Sequence, residues 1–214
     1  MSGDRRPSEA YFPSESAEYG RGLSYFDAIY GFAATLLIAN VDPVPADSWR
    51  DLPALVESGA LDQLLGFFLS FAVIALFWRV SVRCLRATTG LDAPTTVVSL
   101  VATALIVVIP FTTQGISDPS TSALSLPTAV YAVNIALASI AHSAVFFTAA
   151  RRGLLREPLD ARGLRAALAD AAVTPAVFVA SIPIAYAAGP AMAQLTWLSL
   201  VVLLPLVGRW SQRR

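Results

Sequence analysis

Six long apolar stretches separated by polar connections dominate the chain. They run from about Tyr25 to Val41, Leu64 to Val82, Thr95 to Thr112, Pro127 to Ala150, Ala171 to Ala188 and Ala191 to Val207. A membrane-crossing helix needs roughly 20 apolar residues, because the hydrocarbon core is about 30 Å thick and each residue rises about 1.5 Å. A spanning barrel would instead show alternating segments of about 10 residues divided by turn residues. These stretches are too long and too continuous for that. The pattern predicts an all-α integral membrane bundle of six helices.

Composition agrees. Hydrophobic residues make up 56% of the 214 positions and charged residues 14%, against about 25% charged in soluble domains. A mean hydropathy of +0.62 is more than one soluble core of this size can hide. The formal net charge is zero, so bulk electrostatics imply neither nucleic acid nor an acidic partner. Every basic residue is Arg. Residues 1–20 carry Pro, Ser, Gly and acidic groups without a basic start and an apolar run, and read as a flexible cytoplasmic tail rather than a signal peptide. The membrane domain then covers 21–208, and 209–214 form a short basic tail.

Loop charge orients the bundle. Arg21 precedes the first span; Arg79 lies just inside the end of the second, with Arg83 and Arg86 after it; Arg151, Arg152, Arg156, Arg162 and Arg165 follow the fourth; Arg209, Arg213 and Arg214 close the chain. The intervening connections carry Asp42, Asp47, Asp51, Glu57 and Asp118 against a lone Arg50. Arg therefore alternates between sides, and the positive-inside rule places both termini in the cytoplasm. A multi-pass protein of a bacterial plasma membrane is the expected setting.

The first span holds the chemistry out of place. A carboxylate at Asp27, in the early turns of a membrane helix, needs a partner or water. It either complements the helix dipole or joins a network with a neighbouring helix, where Arg79, Ser81 and Arg83 lie at matching depth. Farther along, Ala28, Phe32, Thr35 and Ala39 share one face, with Leu36 on its edge. Small and hydroxyl residues spaced in this way also make an ordinary helix-packing face.

This segment, RGLSYFDAIYGFAATLLIANVD from Arg21 to Asp42, resembles the first helix of the transmembrane protein 175 family of potassium channels, in its prokaryotic single-repeat form. The family opens with Arg, three variable residues, then Phe-Ser-Asp, and later a Thr-Leu-Leu stretch. Arg21, Asp27, Thr35, Leu36 and Leu37 match it, while Tyr25 and Phe26 take the Phe and Ser places. Ser70 to Trp78 resembles the second helix, Val107 to Thr113 the end of the third, and Tyr131 to Arg152 the fourth. The resemblance implies a homotetramer whose first helices line a central pore. Its constriction would be formed by Phe32, Leu36 and Ala39, with Thr35 close to the pore and Asp42 at its outer mouth. Arg21, Asp27, Trp78 and Ser81 would form the motif network behind it. Monovalent cations, potassium above all, are the implied permeant species, and no cofactor is implied. Three positions depart from the family: Phe26 replaces Ser, Ser81 replaces His, and Ser99 replaces Asn. The same departures fit an alternative, a non-conducting membrane protein that keeps the fold for assembly or signalling.

The remaining polar groups add less. His142, the only histidine, lies with Asn134, Ala138, Ser139 and Ser143 on one stripe of the fourth helix, as inter-helix hydrogen bonding requires; pH sensing is the other reading. Arg151 to Asp170 is expected either as an amphipathic surface segment or as a plain linker, with Asp160 capping the fifth helix. Trp49, Trp78, Trp197 and Trp210 fall near span ends, as interfacial anchors do. Cys84, the single cysteine, excludes an internal disulfide and is expected to be inert. No metal cluster, nucleophile with a base, or paired carboxylates stand out, so no enzyme is expected. A small transporter would need a polar midplane site, of which the His142 stripe is the sole hint.

Overall fold

The computed structural model describes residues 11–212. After a two-residue strand β1 (Phe12–Pro13) come helices α1 (Ala17–Ala39), α2 (Leu52–Glu57) and α3 (Ala60–Arg86). Strand β2 (Gly90–Leu91) is followed by α4 (Ala93–Ser117), α5 (Ser125–Arg151), α6 (Ala161–Ala187), α7 (Pro190–Trp197) and α8 (Leu200–Gln212). Six segments are long and apolar enough to cross a membrane: α1, α3, α4, α5, α6, and Pro190–Val207, which joins α7 to α8. The predicted spans are all there, the first five each matched by one longer or shifted helix and the sixth by α7 and α8 together.

Helix starts follow their caps. The side chains of Ser16, Asp92 and Asp160 accept from the amides of Tyr19, Thr95 and Gly163, satisfying first-turn donors that the helix itself leaves free. Asp160 thus caps α6 as its spacing predicts. The cap also moves the helix start ten residues ahead of the predicted fifth span, because Arg162 and Arg165 are tolerated in a helix that begins in water.

The sixth span is broken. α7 ends at Trp197 and α8 resumes at Leu200, although hydropathy continues unbroken across the join. Trp197 is also not the interfacial anchor expected. It is 5% exposed, its indole N–H donates to Ser181 Oγ at 2.9 Å, and its ring stacks on Tyr131 with centroids 5.1 Å apart. Trp49, by contrast, is 68% exposed near the end of its connection.

Helix α5 is the centre of the bundle, packing on α3, α4, α6 and α7. Its Tyr131, Ala132, Ile135 and Ala138 pack with Ile106 and Ile109 of α4 in the main core. Apolar burial from water stabilises little here, since the outer solvent is itself apolar; close packing and inter-helix hydrogen bonds carry the bundle instead. Ser70 of α3 links two of them, receiving the Thr113 hydroxyl at 2.7 Å and lying 3.1 Å from the Tyr131 hydroxyl. Near the start of α3, Gly66 lets α4 approach: a Cβ there would lie 2.5 Å from Ser117 Cβ.

The N-terminal region differs from the flexible tail expected over 1–20. Residues 11–20 are built into the fold. β1 pairs antiparallel with β2, Phe12 opposite Leu91 and Pro13 opposite Gly90. A Cβ on Gly90 would meet the Phe12 carbonyl at 2.5 Å, so the close pairing requires glycine. The Tyr11 hydroxyl donates to the Thr89 carbonyl at 3.2 Å and that of Tyr19 to the Leu85 carbonyl at 2.9 Å. The connection after α5 joins the same cluster. Arg152 pairs with Asp92 at 2.6 Å, and Arg156 donates to Ser14 Oγ at 3.0 Å and to the Arg86 carbonyl at 3.2 Å. Residues 152–160 are thus neither a free linker nor an amphipathic helix. Residues 1–10, and the basic side chains of the expected tail 209–214, lie outside what is described.

Candidate pore helix

Helix α1 is two-faced. Tyr19, Phe26, Tyr30, Ala33 and Leu37 are buried, at the spacing that puts them on one side of a helix. They pack against α3 and α4 and the β2 turn. The other side carries Ala28, Phe32, Thr35, Leu36 and Ala39, all exposed; Phe32 is 72% exposed and Leu36 40%. The three expected constriction residues and Thr35 therefore share one face that, among the described residues, nothing in the same chain covers. The Thr35 hydroxyl donates back to the Phe32 carbonyl at 2.8 Å.

Both ends of α1 are held. At the Asn40 end, the side-chain amide donates to the Pro110 carbonyl of α4 at 3.1 Å. Pro110 and the chain after α1 are joined by a contact that sequence reading did not find. Asp42 exchanges hydrogen bonds with Gln63, its amide donating to Gln63 Oε1 at 2.7 Å and Gln63 Nε2 donating to Asp42 Oδ2 at 3.2 Å. The expected outer-mouth carboxylate is exposed but tethered to α3. An amide side chain just inside an apolar run was the signal available for Gln63.

At the Arg-rich end, the motif residues are brought together in part. The indole N–H of Trp78 donates to Asp27 Oδ1 at 2.9 Å. The hydrogen bond to Asp27 thus comes from Trp78 rather than from Arg79, Ser81 or Arg83. Arg21 is exposed and, among the described residues, forms no ion pair. Six residues separate it from Asp27, which puts the two on different sides of the helix.

Ser81 instead lines a small cavity of about 10 Å³ together with Phe26, Tyr30, Ser99 and His142. The three positions that depart from the resembled family thus meet in one place. Tyr30 and His142 supply the hydrogen bond there. The Tyr30 hydroxyl lies 2.5 Å from His142 Nε2, and His142 Nδ1 lies 2.7 Å from the Ala138 carbonyl. A carbonyl only accepts, so Nδ1 carries the proton and Nε2 accepts from the phenol. Ser99 bonds within its own helix, to the Thr95 carbonyl at 2.8 Å. His142 thus serves inter-helix bonding, as its stripe predicts. Tyr30 was missed, though a phenol in mid-span regularly marks a partner across the helix interface.

Among the described residues no three His, Cys, Asp or Glu side chains cluster as a metal site requires.

The sequence model of the family described as endosomal/lysosomal potassium channel TMEM175 matches residues 21–110. Over this stretch, less than half of its length, the chain is similar to that family. The matched stretch covers α1 from Arg21, all of α3, and α4 as far as Pro110, and so includes the whole candidate pore face. No curated protein sequence matches. Among solved structures, a lysosomal potassium-selective channel TMEM175 homologue from Chamaesiphon minutus is similar in fold. Its TM-score is 0.63 at 20% identity, over 92% of this chain and 98% of that one. The likeness extends the TMEM175 fold past Pro110 to the later helices, which the sequence match leaves out.

Proposed function

We propose that the protein is a potassium-permeable cation channel in which four copies surround a pore lined by α1. Phe32, Leu36 and Ala39 form its apolar constriction. The match of residues 21–110 to the family supports channel activity, and the solved structure of similar fold is described as potassium-selective. The observation that carries the reading is the bare face of α1, where Phe32 stands 72% exposed while Tyr30, Ala33 and Leu37 are packed behind it. Rings of apolar side chains control ion passage by excluding water from the narrow part. Thr35 adds a hydroxyl beside that ring. Four Asp42 carboxylates at the mouth raise the local cation concentration.

In this reading both termini and the Arg-rich loops face the cytoplasm, and the permeant ion is the only small-molecule partner required. The protein then resides in the plasma membrane of a bacterial cell.

Potassium flux from proteoliposomes, with sodium and an impermeant cation as controls, tests the proposal. Potassium-selective flux supports it. A folded tetramer that passes no potassium would favour the second reading, a non-conducting protein that keeps the fold. That alternative is motivated by Phe26, which is buried against Leu85 and Leu91 where the family has a serine.

A further inference from the structure

A groove of about 780 Å³ opens between α5 and α6 at the Arg-rich end of the bundle. Its walls are Ala144 and Phe147 on α5 and Leu164, Leu168 and Ala172 on α6. The volume lies inside the roughly 300–1,000 Å³ range of sites that enclose a small molecule. Its lining is apolar but for two hydroxyls and one charge, Arg151.

The groove has the height of one leaflet. On α5 it extends from Ile140 to Arg151, and on α6 from Leu164 to Pro175. Eleven residues of helix rise about 16 Å, close to half of the roughly 30 Å hydrocarbon core.

Charge stands at one end only. Arg152 and Arg156 are engaged in the loop cluster, whereas Arg151 is exposed and, among the described residues, makes no hydrogen bond or ion pair. Arg165, also exposed and without an ion pair, follows Leu164 by one residue and borders the same face by helical spacing. One guanidinium, Arg151, thus lines the charged end of an apolar slot of acyl-chain length, and Arg165 lies at the same end of it by its place on α6. Meanwhile α6 packs on α5, α7 and α8, and α1 on α3 and α4, which sets the groove on the side of the bundle away from α1.

We propose that this groove is a binding site for an anionic phospholipid of the leaflet at the Arg-rich end. An acyl chain fills the slot, and the headgroup phosphate pairs with Arg151 and Arg165. Planar guanidinium groups bind phosphate oxygens bidentately, and basic side chains beside a span attract anionic lipid. The site is independent of whether the bundle conducts.

Native mass spectrometry of the purified protein in mild detergent, with phosphatidylglycerol and phosphatidylcholine of equal chain length in competition, is the test. Phosphatidylglycerol is expected to be retained preferentially. R151Q and R165Q should each weaken its retention roughly fivefold and leave phosphatidylcholine unchanged. A172W, which fills the slot, should remove the bound lipid, with folding checked by thermal unfolding. Equal retention of both lipids by the wild-type protein would overturn the proposal whatever the variants do. So would displacement of the lipid by inorganic phosphate alone, or cross-linking of an A144C variant to a second copy through the groove.

Discussion

The Tyr30 hydroxyl on α1 sits 2.5 Å from Nε2 of His142 on α5, joining the candidate pore helix to the central helix of the bundle. The imidazole is held on its other side by Ala138 and flanked by the Phe77 ring at 4.7 Å. Replacing the phenol leaves a buried acceptor unmatched. Tyr30→Phe is expected to cost about 1–2 kcal/mol, read as a lower melting temperature of the detergent-solubilised protein. His142→Ala removes the acceptor and leaves a void between α1 and α5 as well, and is expected to cost more. Equal stability in all three proteins would mean that the contact does not hold α1.

Phe32→Ala should behave in the opposite way. The ring is 72% exposed, so its loss is expected to change stability by no more than about 0.5 kcal/mol. If it narrows the pore, potassium flux from proteoliposomes rises several-fold. Unchanged flux with intact assembly counts against Phe32 as the constriction.

The pair of Asp92 and Arg152 sets a pH dependence. Burial works against the Asp92 charge, yet hydrogen bonds from Thr95 and the Arg152 guanidinium more than offset it and hold the carboxyl below its ordinary value. A carboxylate with a lowered folded pKa stabilises the fold above its unfolded value of about 3.9, and the contribution fades as pH falls through the folded one. Asp92→Asn is therefore expected to lose about 2 kcal/mol at neutral pH. The gap to wild type should close below about pH 4. Thermal unfolding across pH, with the two proteins side by side, measures it.

Trp78 and Asp27 form a partly exposed pair, with the indole 42% exposed. A double-mutant cycle with Trp78→Phe and Asp27→Asn is expected to give a coupling of about 1 kcal/mol. Additive effects would show that the hydrogen bond contributes nothing between α1 and α3.

At Gly66 the expected outcome is steric. A methyl group would press on Ser117 Cβ at 2.5 Å, so Gly66→Ala should cost about 1–3 kcal/mol. Ser117→Gly in the same chain should recover part of it. Failure to recover would place the strain elsewhere.

The spans were legible because bilayer thickness fixes how many apolar residues a helix needs, and the Asp160 cap because its signal is local. The break between Trp197 and Leu200 was not, since hydropathy is blind to backbone direction. Trp197 looked interfacial by position and is a core residue, bonded to Ser181 and stacked on Tyr131. That Phe32, Thr35 and Ala39 share a face, with Leu36 on its edge, followed from helical periodicity; that this face is exposed rather than packed did not. Nor did its anchors. Tyr30 and His142 lie 112 residues apart, Asp27 and Trp78 51, and Arg152 and Asp92 60. Helix–helix contacts at such separations depend on packing geometry, which no single stretch of sequence contains. Residues 11–20 misled for the same reason. Polar and Pro-rich, they carry no hydropathy signal, yet their backbone completes a strand pair with Gly90 and Leu91.

Helix α1 is a beam built in at both ends. Tyr19 and β1 clamp one end to the loops, and Asn40 and Asp42 clamp the other to α4 and α3. A beam so mounted does not swing like a gate. If α1 lines a pore as proposed, that pore can change in two ways: by turning the unpacked side chains at mid-length, a motion of picoseconds to nanoseconds, or by shifting whole subunits, which takes microseconds to milliseconds. Fast flicker at Phe32 and slow regulation from the rest of the bundle would then be separate events, distinguishable by their time constants in a single-channel record.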